Sequence, residues 1–131
     1  MADVTVSVPA KPEFVHVLRS VVASVAARAS FTFDEIDDLR LAVDEACAQL
    51  LAFPPPATTL ELRIAFGDAG TIEVVASTDA DAGAAIWPPE GAERTLTWQV
   101  LSALADEARF ESAGARPGLR IIKHRETAPT T

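Results

Sequence analysis

Glu45 and Gln49 stand four residues apart in TFDEIDDLRLAVDEACAQLL, residues 32–51. On a helix that spacing puts a carboxylate and an amide on one face, one turn apart. Asp38 and Ala42 continue the row toward the N-terminus. Such a row is either a solvated flank or the floor of a site. The other reactive side chains are sparse. Cys47 is the single cysteine, which excludes an internal disulfide and a multi-cysteine metal site. It falls on the apolar side of the same helix, where a packed thiol is favoured over a nucleophile. His16 and His124 are the two histidines. Neither has a carboxylate or cysteine at ligand spacing, so metal binding has little support. Asp79 and Asp81 lie in STDADAG, residues 77–83, where acidic side chains commonly serve turns and solubility.

The elements that must position these groups read clearly. Thr32 and Glu35 form a capping-box signature, with Phe31 and Ile36 placed for a hydrophobic staple. Pro54, Pro55 and Pro56 stop the helix. Its docking stripe is Ile36, Leu39, Val43, Cys47 and Leu50. Before it, Val4, Val6 and Val8 alternate with polar residues as a half-buried strand ending at Pro9. Pro12 and Glu13 then open a helix to about Arg28, with Phe14, Val17, Leu18, Val21 and Val25 as its apolar stripe. The short link between the two helices predicts antiparallel neighbours.

After the prolines, Leu60, Leu62, Ile64 and Phe66 alternate as a strand; Asp68-Ala69-Gly70 reads as a hairpin turn, and Ile72, Val74 and Ala76 continue the partner. Residues 78–94 have the Gly, Ala, Asp and Pro content of a surface loop. Trp98, Leu101, Leu104 and Ala105 mark a third helix to about Glu107. Phe110 starts a short strand, residues 114–118 turn, and Leu119 and Ile121 lie in a last strand with Ile122 on its other face. The expectation is a single α+β domain over 1–125, a two-layer sandwich of one mostly antiparallel sheet with helices on one face. Residues 126–131 read as a frayed polar tail.

The chain has 131 residues, of which 49% are hydrophobic, so it is not disordered. No apolar run approaches the ~20 residues of a membrane span. The opening MADVTVSVP has neither a basic region nor an apolar signal core, so a cytoplasmic protein is expected. A net charge of −8 argues against direct nucleic-acid binding and is compatible with a basic protein partner.

The element order, and above all PAKPEFVHVLRSVVASVAARASFTFDEIDDLRLAVDEACAQLL, residues 9–51, resembles the anti-sigma-factor serine kinases of the RsbW and SpoIIAB type. These lie within the GHKL ATPases of Bergerat fold. DEIDDLRLAVDEAC is similar to the helix that carries that family's N box, and ADEARF, residues 105–110, to its segment before the penultimate strand. The resemblance implies that Glu45 stands where a Glu polarises the attacking hydroxyl or water. Gln49 stands where an Asn holds Mg²⁺; it is one methylene longer, and Mg²⁺ tolerates poor octahedral geometry badly. Asp79 or Asp81 matches the adenine-reading Asp. Gly83 alone remains of the glycines after it, and Ala80 and Ala82 add Cβ atoms. The Gly-x-Gly before the third helix reads Thr95-Leu96-Thr97, so the phosphate-cradling glycines are replaced. Gly118 near the last strand is kept. With these losses a solvated acidic residue is favoured at Glu45 over a general base. The pattern is nearest the degenerate UsfX-like subset, which also lacks the N-box Asn.

Two functions follow from the resemblance. The first is an anti-sigma factor with a degenerate ATP site, a pseudokinase that sequesters a sigma factor and is released by a STAS-domain anti-anti-sigma partner. It needs no cofactor, and a homodimer is compatible with it. The partner surface would be the first helix, where Glu13, His16, Arg19 and Ser20 lie off the apolar stripe. The second is an active serine kinase using Mg-ATP, with Glu45 as base, Gln49 on magnesium and Asp79 on adenine. Trp98 reads as core, whereas Trp87 in the loop either anchors a partner or folds back into the emptied pocket.

Overall fold

The computed structural model of the protein describes residues 2–53, 56–67, 69–81, 86–113 and 116–126. Strand β1 spans Ala2–Pro9, helix α1 Val15–Arg28 and helix α2 Phe33–Ala52. Strands β2, Thr59–Phe66, and β3, Thr71–Thr78, follow. Helix α3 spans Leu96–Leu104, β4 Glu107–Ala113 and β5 Arg116–His124. The sheet order is β1-β2-β3-β5-β4, with every neighbouring pair antiparallel. The expected α+β sandwich is the observed architecture.

The layers follow from alternation. Val6, Leu62, Ala76, Leu119 and Phe110 are register partners in one row across all five strands. They pack into one core with Leu18, Val22, Leu39, Val43 and Leu50 from the helices. The alternate positions point the other way and carry charge: Arg120 of β5 pairs with Glu73 of β3 and Glu111 of β4. An antiparallel sheet with one face packed and one solvated produces this pattern.

Helix α2 is the central piece. The Thr32 hydroxyl accepts the Glu35 N–H at 3.2 Å, and the Thr32 N–H donates to Glu35 Oε1 at 2.7 Å, completing the capping box. The helix ends at Ala52, with Phe53 as its C-cap; Pro54 and Pro55 lie outside the described residues. Leu39, Val43, Cys47 and Leu50 are buried as expected and Ile36 packs at the edge of the core. Burial pushes the Cys47 thiol up to about 12, and Asp44 adds to the rise, so it stays an inert thiol at neutral pH. The second row is not a solvated flank. Ala42 is fully buried, and Asp38 meets Lys123 of β5 at 3.3 Å.

Four sequence expectations shift. The buried stripe of α1 is Leu18, Val22, Val25 and Ala26, while Val17 is 45% exposed. Val17-Leu18 and Val21-Val22 are adjacent apolar pairs, so the wheel alone leaves the stripe's centre open by one residue. Helix α3 stops at Leu104 and β4 already starts at Glu107. Asp106 ends the helix by joining the sheet: its N–H donates to the Ile122 carbonyl at 3.0 Å, and its carboxylate accepts the His124 N–H at 2.6 Å. Gly118 is not a turn glycine but lies within β5, where a Cβ would sit 3.3 Å from the Ala76 carbonyl oxygen. Glu126 is not frayed either, because its N–H donates to Glu35 Oε2 at 2.7 Å. Residues 127–131, and Asp68 of the hairpin turn, lie outside the described residues.

The burial of α2 sets an order of mutational cost. Leu50→Ala or Val43→Ala should destabilise by about 2–4 kcal/mol, since a sheet-backed site collapses only partly. Gln49→Ala, at a half-buried position, should cost under about 1 kcal/mol. Urea unfolding of the three variants checks the order, and equal losses would contradict it.

Candidate functional site

The C-terminal half of α2 faces the N-terminus of α3, and a pocket of about 270 Å³ lies between them. Gln49, Thr95 and Thr97, three of the residues picked out from sequence, line it together. Ala52, Phe53, Trp87, Pro89 and Ala92 supply an apolar wall, and Glu90 is the charged side chain of the lining. Glu45 stands one helical turn before Gln49, half-buried, and is not part of the lining.

Thr95 is the N-cap of α3. Its hydroxyl accepts the Trp98 N–H at 3.1 Å and donates to the Ala92 carbonyl at 2.8 Å. Where the resemblance implies a glycine whose amide approaches phosphate, a side chain thus closes the helix end on itself. Trp87 folds inward, as one of its two sequence readings held. Its indole N–H bridges the carbonyls of Glu111 at 2.9 Å and Gly118 at 3.1 Å. Its ring meets Phe53 edge-to-face at 5.0 Å and Phe110 at 5.4 Å, and Phe110 in turn stacks on Trp98 at 4.5 Å. Four aromatic rings therefore run from the end of α2 to the start of α3. Buried indole N–H groups need an acceptor, and Gly118 permits the close backbone that presents one.

Asp79 is placed elsewhere. It is exposed, does not line the pocket, and its carboxylate accepts the Thr58 N–H at 2.8 Å, the Thr59 N–H at 3.0 Å and the Thr58 hydroxyl. It ties the end of β3 to the start of β2. Gly83 lies outside the described residues. Among the described residues no group of three or more His, Cys, Asp or Glu side chains could hold a metal ion.

A second depression, about 480 Å³, runs between α1 and α2. His16 and Arg19 line it with Val15, Asp44, Ala48 and Leu51. Arg19 is not free: its Nη1 meets Asp44 Oδ2 at 3.1 Å, and its Nε is buried with no acceptor among the described residues. The Ser20 hydroxyl donates back to the His16 carbonyl of its own helix at 3.0 Å. Glu13 and His16 are exposed. Asp44, Phe53 and Thr58 escaped the sequence reading. Asp44 lies 25 residues from Arg19, and no periodicity connects positions on two different helices. For Phe53 a signal existed, an aromatic residue directly before the prolines.

Residues 8–123 match the family described as histidine kinase-like ATPase domain. The anti-sigma-F factor RsbW of Mycobacterium tuberculosis is 34% identical over 116 residues, covering 87% of this chain and 64% of that protein. The serine-protein kinase RsbW of Bacillus subtilis is 48% identical over 44 residues, 34% of this chain and 28% of that protein. The chain therefore spans less than two thirds of the length of these relatives. Among solved structures, the RsbU and RsbW domains of a Mycobacterium tuberculosis protein superpose with a TM-score of 0.70 at 11% identity, covering 95% of this chain and 33% of that one. The histidine kinase domain of a blue-light activated kinase from Erythrobacter litoralis gives 0.55 at 17%, covering 90% of this chain and 62% of that one. At these identities the likeness is one of fold.

Asp79 offers a measurable signature of the strand tie. The Thr58 hydroxyl first, then the Thr59 and Thr58 amides, hold its carboxyl at about 2, below its ordinary 3.8. A lowered folded value means that the stabilisation is present above the ordinary range and is lost as pH falls through about 2. A carboxyl NMR titration should give a midpoint near 2, and Thr58→Val should raise it. An ordinary midpoint in the unaltered protein would contradict the tie.

Proposed function

The chain belongs to the histidine kinase-like ATPase domain family, and from that premise we propose that it is an anti-sigma factor acting without nucleotide chemistry. The observation that carries this reading is the similarity to an anti-sigma-F factor over 87% of the chain. The pocket's chemistry supports the second half. Its described lining holds no lysine or arginine and does hold Glu90, so a Mg-triphosphate meets a like charge and no cation. Thr95 spends its hydroxyl on the cap, and Trp87 takes up space beside Gln49. These residues do not fit Mg-ATP. The competing reading, a serine kinase with Glu45 as base, Gln49 on magnesium and Asp79 on adenine, draws on the similarity to a serine-protein kinase and on Glu45 and Gln49 sharing a helix face.

In the proposed mechanism the sigma factor docks on the outer surface of α1 and the adjoining groove. His16 and Val17 are exposed there, with Glu13 exposed in the Pro12–Phe14 turn just before α1, and Leu41 of α2 is a further exposed apolar side chain, 52% accessible. The net charge of −8 steers a basic partner toward this surface in place of promoter DNA. Arg19 is held by Asp44 in the groove floor, so the partner meets an oriented guanidinium rather than a flexible chain. A STAS-domain protein competing for the same surface releases the sigma factor. The proposed mechanism involves neither direct nucleic-acid binding nor a membrane; no described helix is long and apolar enough to cross a bilayer. The protein acts in the cytoplasm, and a homodimer is compatible with the docking surface.

Two measurements test the proposal. Calorimetry should find Mg-ATP binding no tighter than millimolar, worth about −4 kcal/mol. Micromolar binding would favour the kinase, in which case Glu45→Ala should abolish phosphate transfer without unfolding. Binding kinetics against the host's sigma factors, with and without ATP, should show association that slows as the Debye length falls from ~30 Å at 0.01 M to ~10 Å at 0.1 M salt. Glu13→Lys should lower the on-rate, and His16→Ala or Arg19→Ala should mainly raise the off-rate. Capture of no sigma factor, or capture only with ATP, would overturn the proposal.

A further inference from the structure

The two edges of the sheet are built differently. Strand β4 carries Glu107, Arg109 and Glu111, the kind of charge that shields edge strands from one another. Strand β1 runs from Ala2 to Pro9 in unbroken register with β2. Its single charge, Asp3, is already tied to Arg63 at 3.7 Å. The outward groups of this edge can be named. The Ala10 N–H donates to the Thr58 carbonyl at 3.0 Å, which continues the β1–β2 register and makes those two residues a hydrogen-bonded pair. By alternation Val8, Val6 and Val4 spend their N–H and C=O groups on β2, and those of Ser7, Thr5 and Asp3 point outward. Among the described residues no hydrogen bond reaches these outward groups.

Above this edge lies an apolar strip. Helix α2 packs on β3 and β5, and α1 packs on β2, so the flank of α1 turned away from α2 overhangs β1. Val15 and Arg19 line the groove toward α2; on the helical wheel the opposite flank carries Phe14, Val17 and Val21. Phe14 and Val21 are half-buried, as are Val4 and Val6 of β1, and all four pack on the core. Val17, 45% exposed, stands at the rim. An unshielded ladder beneath half-covered apolar side chains is a surface that takes up another strand.

We infer that a second copy of this chain adds its own β1 antiparallel to this one, about a two-fold axis at Thr5, joining two five-stranded sheets into one. The residues of the edge select that register. Thr5 faces Thr5 of the second copy and Asp3 faces Ser7, each pair exchanging both N–H···O bonds. Val4 lies beside Val6 of the second copy on the core face. An axis at Asp3 would set carboxylate against carboxylate, and one at Val6 would set Asp3 against Pro9, which has no N–H to donate. The inference rests on the sheet edge and not on the function proposed above, and it leaves the groove of His16 and Arg19 open. Each chain carries a net charge of −8, so salt tightens the dimer, the reverse of its effect on the on-rate of a basic partner.

Sedimentation equilibrium of the full chain, up to about 1 mM protein, should show a monomer–dimer equilibrium that moves toward dimer as salt is added. Amide exchange of Thr5 and Ser7 should slow as the dimer fills, while that of Val4 and Val6 changes little. Thr5→Pro removes the N–H at the axis without touching the β2 ladder, and should weaken the dimer at least about tenfold. Ser7→Asp sets a like charge against each Asp3 and should weaken it about fivefold, and Ser7→Lys should tighten it by as much. The same charges placed at Ser102, exposed on α3, should move it less. A chain that stays monomeric throughout overturns the inference, as does a dimer indifferent to Thr5→Pro and both Ser7 variants, or association that runs beyond the dimer. A monomeric chain that still captures a sigma factor overturns this inference alone; a dimer with the expected variant responses that captures none supports it and overturns the proposed function alone.

Discussion

The carboxylate of Glu35 is the contact on which the helix layer depends. It is 6% exposed, and its two oxygens are split between two elements. One accepts the Thr32 N–H and starts α2; the other accepts the Glu126 N–H just beyond β5. Burial alone would raise its pKa, but the amides, the Thr32 hydroxyl and the Lys123 charge together bring it below the ordinary value. It therefore stays ionised and keeps accepting at neutral pH. Arg125 adds a bond to the Ala29 carbonyl at 2.7 Å in the link between α1 and α2. Lys123 ties Asp38 of α2 to the carbonyl end of α3 through Leu104 at 2.9 Å, where a cation suits the helix dipole. With α2 pinned at its start, the positions of Asp44 and Gln49 follow from its rise and pitch.

At the other end of α2 the same helix borders two depressions of different character. Asp44 faces α1 and holds Arg19; Gln49 faces α3 and an aromatic wall. Thr95, which stands where the resemblance implies a glycine, and Trp87 of the preceding loop both have structural roles. Thr95 caps α3, and Trp87 reaches two backbone carbonyls that Gly118 helps to present. By the resemblance, side chains that stabilise the neighbourhood stand where open backbone would be needed to cradle phosphate. Filling and capping a pocket both stabilise a protein and remove the strained backbone that nucleotide chemistry uses. This exchange links the local energetics to the proposed action by binding.

The two faces of the sheet divide the electrostatics in the same way. On the solvated face, Arg120 sits between Glu73 and Glu111, with Arg63 and Asp3 near by. Those charges are largely spent on one another. The helix side leaves Glu13, His16, Val17 and Leu41 exposed. Under the proposed mechanism, Glu13 and the apolar side chains exposed on α1 and α2 supply the steering charge and anchoring surface that protein association uses.

Local rules made much of this legible in the amino-acid sequence. The capping box, the alternating strands, the proline stop and the order of elements each depend on residues within a few positions of one another, so periodicity and cap chemistry sufficed. The resemblance of residues 9–51 was legible for the same reason, since two helices and a short link carry it. What needed the tertiary structure were pairings across elements. Only packing against α2 and the sheet put Leu18 and Val22 in the core and left Val17 exposed, because the adjacent pairs Val17-Leu18 and Val21-Val22 satisfy the wheel equally well. Only the fold brought Arg19 to Asp44 and Asp79 to Thr58, 25 and 21 residues apart. Trp87 turned inward because the carbonyls of Glu111 and Gly118 and the ring edges of Phe53 and Phe110 converge on one spot, a convergence of three strands of chain that no single stretch of sequence encodes.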